Sequence, residues 1–349
     1  MDQPNSKERI LVTGGSGYLA SWIVKFLLED GYPVNTTVRN IRNESRYRHL
    51  SSLSELYPGK LGIFEADLLK EGSFDEAAGG CSIVIHTASP FKLTGIKDGD
   101  KELLTPAVQG VRNVFYSAFR TSLVKRIVMT SSVAAVYGDA VDIGLTENGV
   151  FSEKHWNTTS STKHQPYSFS KTMAEKEAWK RVADHPTIGL NVINPGFIMG
   201  PSLTERRDST SILIMQQLIS GKFRAGVPKG MHAIVDVRDV AKAHLLAAFL
   251  PRSGYRFIAA PHHVTFTEMA AVIRSKYPDL PVPKRVIPTW FFLLTGPLMG
   301  YPARFIRRNI GHPIRFDNSQ IIRILGMNFR PLEETLLDQV SQLLEREEK

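Results

Sequence analysis

The stretch "RILVTGGSGYLA", residues 9–20, constrains the chain most. A short apolar run ends directly in glycines, and a helical pattern begins near Tyr18. Gly14, Gly17 and Ala20 stand three apart. Without a Cβ the backbone can turn sharply and approach a pyrophosphate, and the helix N-terminus then presents N–H groups and partial positive charge to it. The third position needs only a small residue for helix-to-strand packing, which Ala20 supplies. A glycine pattern alone is weak, but one lying between a first strand and a first helix predicts a dinucleotide-binding unit.

The first half of the chain continues in that sense. Strand patterns at 33–39, 60–67, 82–88, 125–132 and 189–196 alternate with helical patterns near 45–56, 72–79, 100–122 and 166–184. This predicts an α/β fold with right-handed crossovers and a Rossmann-type, doubly wound parallel sheet. The runs "SIVIH" and "RIVM" lack strict alternation, as strands buried on both faces do. After Gly196 the pattern loosens. Residues 232–249 read as a strand and a helix, 255–260 as one more strand, and 262–349 as short helices among prolines. The expected division is a nucleotide-binding domain from 1–196 plus 232–260, and a smaller, mostly helical substrate lobe from 197–231 plus 261–349.

Composition narrows the partners. The net charge of +9 is spread along 349 residues without an aromatic stacking platform, so an anionic small molecule is expected rather than nucleic acid. The single cysteine, Cys81, rules out an intramolecular disulfide framework and reads as a core thiol. No signal-peptide pattern and no apolar run near 20 residues is present, so a cytoplasmic protein is expected, as a monomer or homodimer without membrane contact. "TWFFLLTGPLMG" at 289–300 is short, broken by Gly296 and Pro297, and reads as lobe core or dimer surface; the basic "RFIRRN" lies beside it. His262 and His263 read as structural, and no metal site is expected.

The second strand ends "TTVRN". Selection of NAD places a carboxylate here for the ribose 2′-hydroxyl. Arg39 stands there instead, with Arg42 and Arg46 nearby, and arginine pairs with a 2′-phosphate bidentately. NADP(H) is therefore the expected cofactor. Asp67 and Leu68 follow the third strand, where an adenine amino group would be met. The fifth strand ends "MTSSVAAVYG", which puts Ser132 at a strand C-terminus, and "YSFSK" puts Tyr167 and Lys171 on one face of a helix. Ser, Tyr and Lys so placed are the parts for carbonyl reduction. The phenol gives a proton to the oxygen as hydride reaches carbon, the ammonium lowers the phenol's pKa and reaches the nicotinamide ribose, and the serine bonds the same oxygen.

"TGGSGYLA", "ADLL" at 66–69, "TSS" at 130–132 and "YSFSK" together resemble the extended short-chain dehydrogenase/reductase superfamily. "TVRN", "EGSFDEA", "HTASPF", "SEKHWN", "DVRDVAKAH" and "FDNSQIIRILGM" look most like its dihydroflavonol reductase and cinnamoyl-CoA reductase branch, which includes aldehyde and ketone reductases. The resemblance implies Ser132, Tyr167 and Lys171 as the catalytic set. It implies Gly14, Gly17, Tyr18, Leu19, Arg39, Arg46, Asp67, Leu68, Thr87, Ala88, Ser89, Pro195 and Ile198 as cofactor contacts. "QPYSFSK" is not the cinnamoyl-CoA reductase signature. The expected pocket lies between the strand ends and the lobe, at Phe91, Val133, Tyr137, Phe197 and Ser202, and suits a hydrophobic or aromatic carbonyl. A nucleotide-sugar epimerase or dehydratase, a hydroxysteroid dehydrogenase-like enzyme and a non-catalytic NADP sensor are the alternatives; Arg39 and the intact Ser, Tyr and Lys favour the reductase.

Overall fold

The computed structural model describes residues 8–89, 95–206 and 208–347, so Phe91 lies outside the described residues. The chain runs β1 (Arg9–Thr13), α1 (Tyr18–Glu29), β2 (Val34–Val38), α2 (Arg48–Leu56), β3 (Leu61–Glu65), α3 (Asp75–Ala78), β4 (Cys81–His86), α4 (Thr105–Arg120), β5 (Arg126–Thr130), α5 (Pro166–Ala183) and β6 (Gly189–Pro195). It continues with β7 (Phe197–Met199), α6 (Thr210–Ile219), β8 (Val227–Pro228), β9 (Met231–Asp236), α7 (Val237–Phe249), β10 (Tyr255–Ala259) and β11 (His262–Thr265). Then come α8 (Phe266–Lys276), β12 (Val286–Ile287), α9 (Thr289–Thr295), α10 (Ala303–Asn309), α11 (Ser319–Leu325) and α12 (Leu332–Glu347).

Seven strands form one parallel sheet in the order β3-β2-β1-β4-β5-β6-β10. Successive side chains on a strand point to opposite faces. Ile10, Val12, Ile85, Val128 and Ile193 thus bury one face with α1 and α7, while Leu11, Val84, Ile127, Met129 and Val192 bury the other with α4 and α5. Helices on both faces explain the unbroken apolar runs. The strand order reverses between β1 and β4. Loops leaving those two strands diverge, and a crevice opens at the carboxyl edge of the sheet.

The segment 232–260 divides between two sheets. β10 extends the large sheet on β6, and α7 packs on α1. β9 instead pairs with β7 in parallel and with β11 antiparallel. A separate cluster, with Met199, Met215, Ile234, Met269, Ile273 and Val340, seals α6, α8 and α12 against this small sheet. The "TWFFLLTGPLMG" stretch buries Phe292 against Ile306 and Ile310, but Trp290, Leu294 and Leu298 are 65%, 68% and 90% exposed. Among the described residues no helix is long and apolar enough to cross a membrane.

The turn after β1 is fitted to its neighbours. Gly14 has φ 74°, a left-handed conformation that glycine adopts without strain. Gly14 N donates to Thr37 Oγ1 at 3.0 Å and Gly15 N to Thr37 O at 2.8 Å, so the turn is fastened to β2. A Cβ on Gly15 would fall 2.1 Å from Thr36 Oγ1, whereas one on Gly144 would meet nothing within 4 Å. Overpacking of this kind costs roughly 1–3 kcal/mol. Gly15→Ala is expected to lower the urea midpoint of unfolding clearly and Gly144→Ala to leave it nearly unchanged, as read by circular dichroism; equal midpoints would contradict the fit described.

Candidate active site

Gly17 begins α1 without any side-chain cap, and the first turn of α1 holds no acidic residue. Helix N-termini left in this state offer N–H groups and positive potential to an anion. Gly17 N donates to Gly14 O at 2.8 Å, and a Cβ on Gly14 would stand 3.1 Å from the Cβ of Ala88, so the segment after β4 faces the glycine turn closely. Thr13 joins the two. Its Oγ1 accepts from Thr87 N at 3.2 Å and Ala88 N at 3.1 Å, and lies 2.9 Å from His86 Nδ1. Thr87 Oγ1 returns a bond to Thr13 O at 2.5 Å. Burial pushes His86 down to about 3, so it is neutral and Nδ1 is free to accept the Thr13 hydroxyl proton.

The other expected cofactor residues fall into distinct places. Tyr18 donates its hydroxyl to Gly200 O at 2.6 Å, which ties α1 to the loop after β7. Leu19 is 8% exposed in the core, so only its backbone faces the turn. Arg39 is exposed at the carboxyl end of β2, and Arg46 is exposed in the short turn before α2. Asp67 is exposed, with Oδ1 accepting from Leu69 N at 2.9 Å, and Leu68 packs half-buried against the α4 side of the core. Pro195 closes β6, and Ile198 lies in β7, half-buried against the α1 side of the core.

Ser132, Tyr167 and Lys171 come together. Ser132 follows β5, and its Oγ accepts from Ala134 N at 3.1 Å. Tyr167 is the second residue of α5 and is hydrogen-bonded to Ser132. Lys171, 6% exposed, donates to Ser89 Oγ at 3.1 Å, with its Nζ 5.9 Å from the centre of the Tyr167 ring. The start of α5 is held firmly. Gln165 takes a left-handed conformation (φ 56°, ψ 53°) and donates Nε2 to Gly138 O at 2.6 Å and Asp139 Oδ1 at 3.1 Å. Asp139, fully buried, also receives His164, Arg308 and Asn309.

Burial raises the Tyr167 phenol well above its ordinary range, and the bond with Ser132 opposes that rise. Burial pushes Lys171 down to about 8, opposed by the charge of Glu175. Both groups are desolvated, so burial disfavours the charged form of each.

Glu175 escaped the sequence reading. It sits one turn beyond Lys171, is 0% exposed, and receives Ser131 Oγ at 2.5 Å, Asn194 Nδ2 at 2.7 Å and Arg256 Nε at 2.5 Å. The available signal was the spacing 167, 171, 175, which keeps one helical face.

The pocket residues are less uniform. Val133 is buried, and Tyr137 is half-buried between Phe151 and Phe316, with ring centres 5.1 Å and 5.4 Å away. Burial beside Asp139 and Asp142 pushes the Tyr137 phenol up to about 12. Phe197 packs against the lobe cluster. Ser202 is 2% exposed, its Oγ donates to Thr204 O at 3.0 Å, and its backbone N and O are both bonded to Gln342 on α12.

The chain belongs to the 3-beta hydroxysteroid dehydrogenase/isomerase family, whose pattern it matches over residues 11–252. It is 35% identical over 349 residues to tetraketide alpha-pyrone reductase 1 of Arabidopsis thaliana, covering 99% of this chain and 98% of that protein. It is 37% identical over 292 residues to the (2S)-flavan-3-ol-forming anthocyanidin reductase of Vitis vinifera, covering 80% and 84%. Its structure superposes on that of Gre2 of Candida albicans in complex with NADPH with a TM-score of 0.80 at 29% identity, covering 97% and 99%.

Keeping Lys171 charged in the site has a consequence for stability. Its folded pKa is below that of a free lysine, so the penalty is present in full below about pH 8. It fades as pH rises from there toward about 10.4, where the unfolded chain also loses the proton. Lys171→Met is expected to stabilise the fold at pH 7 by up to about 3 kcal/mol, with the gain shrinking above pH 8. Denaturant unfolding at pH 7 and pH 9.5 checks this; a gain independent of pH would contradict it.

Proposed function

We propose that the chain is an NADPH-dependent reductase that converts a hydrophobic or aromatic aldehyde or ketone to the alcohol, with Tyr167 as the proton donor. The observation that carries this reading is the convergence of Ser132, Tyr167 and Lys171 with Ser89, beside the uncapped start of α1. The site suits the cofactor: the glycine turn closes against Ala88 where any Cβ would crowd, and Arg39 stands exposed at the carboxyl end of β2. The first turn of α1 would hold the pyrophosphate, Arg39 the 2′-phosphate and Lys171 the nicotinamide ribose. Bound NADPH supplies the hydride that goes to the carbonyl carbon.

This chain's own residues manage the oxygen. Ser132 bonds it and Tyr167 delivers the proton as negative charge develops there. A phenol raised by burial stays protonated at neutral pH, which suits donation to a carbonyl oxygen. Tyr137, five residues after Ser132 and half-buried against the core rings of Phe151 and Phe316, is the aromatic side chain on which the preference for an apolar substrate over a charged sugar nucleotide rests. Two relatives named above, a tetraketide alpha-pyrone reductase and an anthocyanidin reductase, are reductases by name, which supports a reductive role.

Two substitutions test the reading. A placed acid contributes about a hundredfold to ten-thousandfold. Tyr167→Phe is expected to lose that much activity on a panel of aldehydes and ketones, followed by NADPH absorbance, while NADPH still binds; near wild-type turnover would refute the assignment. A bidentate charged contact is worth roughly 1.5–3 kcal/mol. Arg39→Ala is expected to weaken NADPH binding by that amount and NADH binding little, and equal weakening of both would sink the phosphate contact.

A further inference from the structure

Tyr167, Lys171 and Glu175 follow one another at intervals of four along α5. The carboxylate of Glu175 is 0% exposed and has both oxygens engaged. Oε2 receives Ser131 Oγ at 2.5 Å and Asn194 Nδ2 at 2.7 Å; Oε1 receives Arg256 Nε at 2.5 Å and Trp179 Nε1 at 3.4 Å. Three of these donors lie just past β5, in β6 and in β10, three neighbouring strands of the sheet. The same Asn194 amide also donates to Ser132 O at 3.1 Å. Ser132 is therefore bracketed: the side chain before it and its own carbonyl both lead to Glu175.

We propose that Glu175 is a positioning residue of the reducing site, which fixes the backbone that carries Ser132 and, one helical turn beyond Lys171 on the same face of α5, sets a buried carboxylate behind that ammonium. This rests on the reductase reading above. A buried ion pair adds little net stability compared with apolar residues of like volume, so a role in placing the site accounts for the Glu175–Arg256 pair better than a role in holding the fold. The other charges around Lys171 do not replace it. His86 from β4 is neutral, and His244, which reaches Thr130 at the end of β5, is also neutral, pushed by burial to about 4. Arg112 from α4 is paired with Glu177 at 2.7 Å. Asp100, Lys101 and Glu102, in the turn before α4, carry both signs, and Asp100 and Lys101 are exposed to solvent screening. Arg256 and Glu153 lie behind Glu175, and Arg256 offsets part of its charge.

As pH rises, Lys171 is the first group of the catalytic set to lose its proton, near 8, because burial holds the phenol higher. The alkaline fall in kcat/KM therefore reports Lys171 in the free enzyme. Glu175→Gln removes the negative charge and is expected to move that fall to lower pH by about one unit, with activity at pH 8 down about fivefold. Arg256→Gln leaves Glu175 uncompensated and is expected to move it to higher pH. Glu175→Asp keeps the charge and is expected to keep the position of the fall while lowering kcat through a displaced Ser132. Opposite shifts in the two glutamine variants support the proposal. Variants that melt earlier and turn over more slowly, but whose alkaline fall coincides with that of the wild type, overturn it and leave Glu175 a structural residue. Should Glu175→Gln fail to fold, Arg256→Gln decides alone, since an unmoved fall there is equally fatal. If Tyr167→Phe retains activity the reductase reading itself fails; if it does not, and the fall is unmoved, only this proposal fails.

Discussion

The site depends on one side chain that ties together the segments leaving two neighbouring strands. Thr13, at the end of β1, takes N–H bonds from Thr87 and Ala88 beyond β4 and gives its proton to a neutral His86. β1 and β4 are neighbours at the point where the strand order reverses, so their following loops have no sheet partner to guide them. The threonine supplies that guidance. With the two strand ends locked, the glycine turn and the Thr87–Ser89 segment face each other, and Ser89 meets Lys171. Position in the sheet fixes where the crevice lies, and the hydroxyl ties its two walls together.

Burial does more of the chemical tuning than charge does. The Tyr167 phenol and the Lys171 ammonium both move toward their neutral forms, as desolvated groups must. A phenol that holds its proton more tightly and a lysine that holds its proton less tightly are thus products of the same dry environment. What keeps such a site from collapsing into a neutral core is the ring of polar partners around it, in which Ser132, Ser89, Asn194 and Glu175 each occupy a defined bond.

Legibility in the sequence follows the range of the interactions. The glycine turn, the alternation of strand and helix, and the Tyr167–Lys171 face are local, set by residues within a few positions of one another, and each could be read off the chain. Ser132 was legible because a strand end is itself a local mark. Glu175 was legible only as a member of the same helical face at 167, 171 and 175; its partners lie 44, 19 and 81 residues away, and nothing local announces them. The bonds of Ser202 to Gln342, 140 residues on, were beyond local reading for the same reason. β9 read as a strand, but nothing local told which of two sheets it joins; that is decided by β7 and β11. The apolar run at 289–300 shows the reverse limit: its composition suggested interior, and only the packing of Phe292, Ile306 and Ile310 reveals how little of it is covered.

The cage around Asp139 has an implication for how the molecule is made. Gln165 and His164, immediately before the catalytic helix, lean on Asp139, and Asp139 is completed by Arg308 and Asn309 from α10. Domains form from the N-terminus as the chain leaves the ribosome. The β1–β4 crevice has all its parts once the first 89 residues have emerged, whereas the cage that supports Tyr167 lacks two members until residue 309 has been added. Two ends of one site are thus finished at very different moments in the life of the nascent chain.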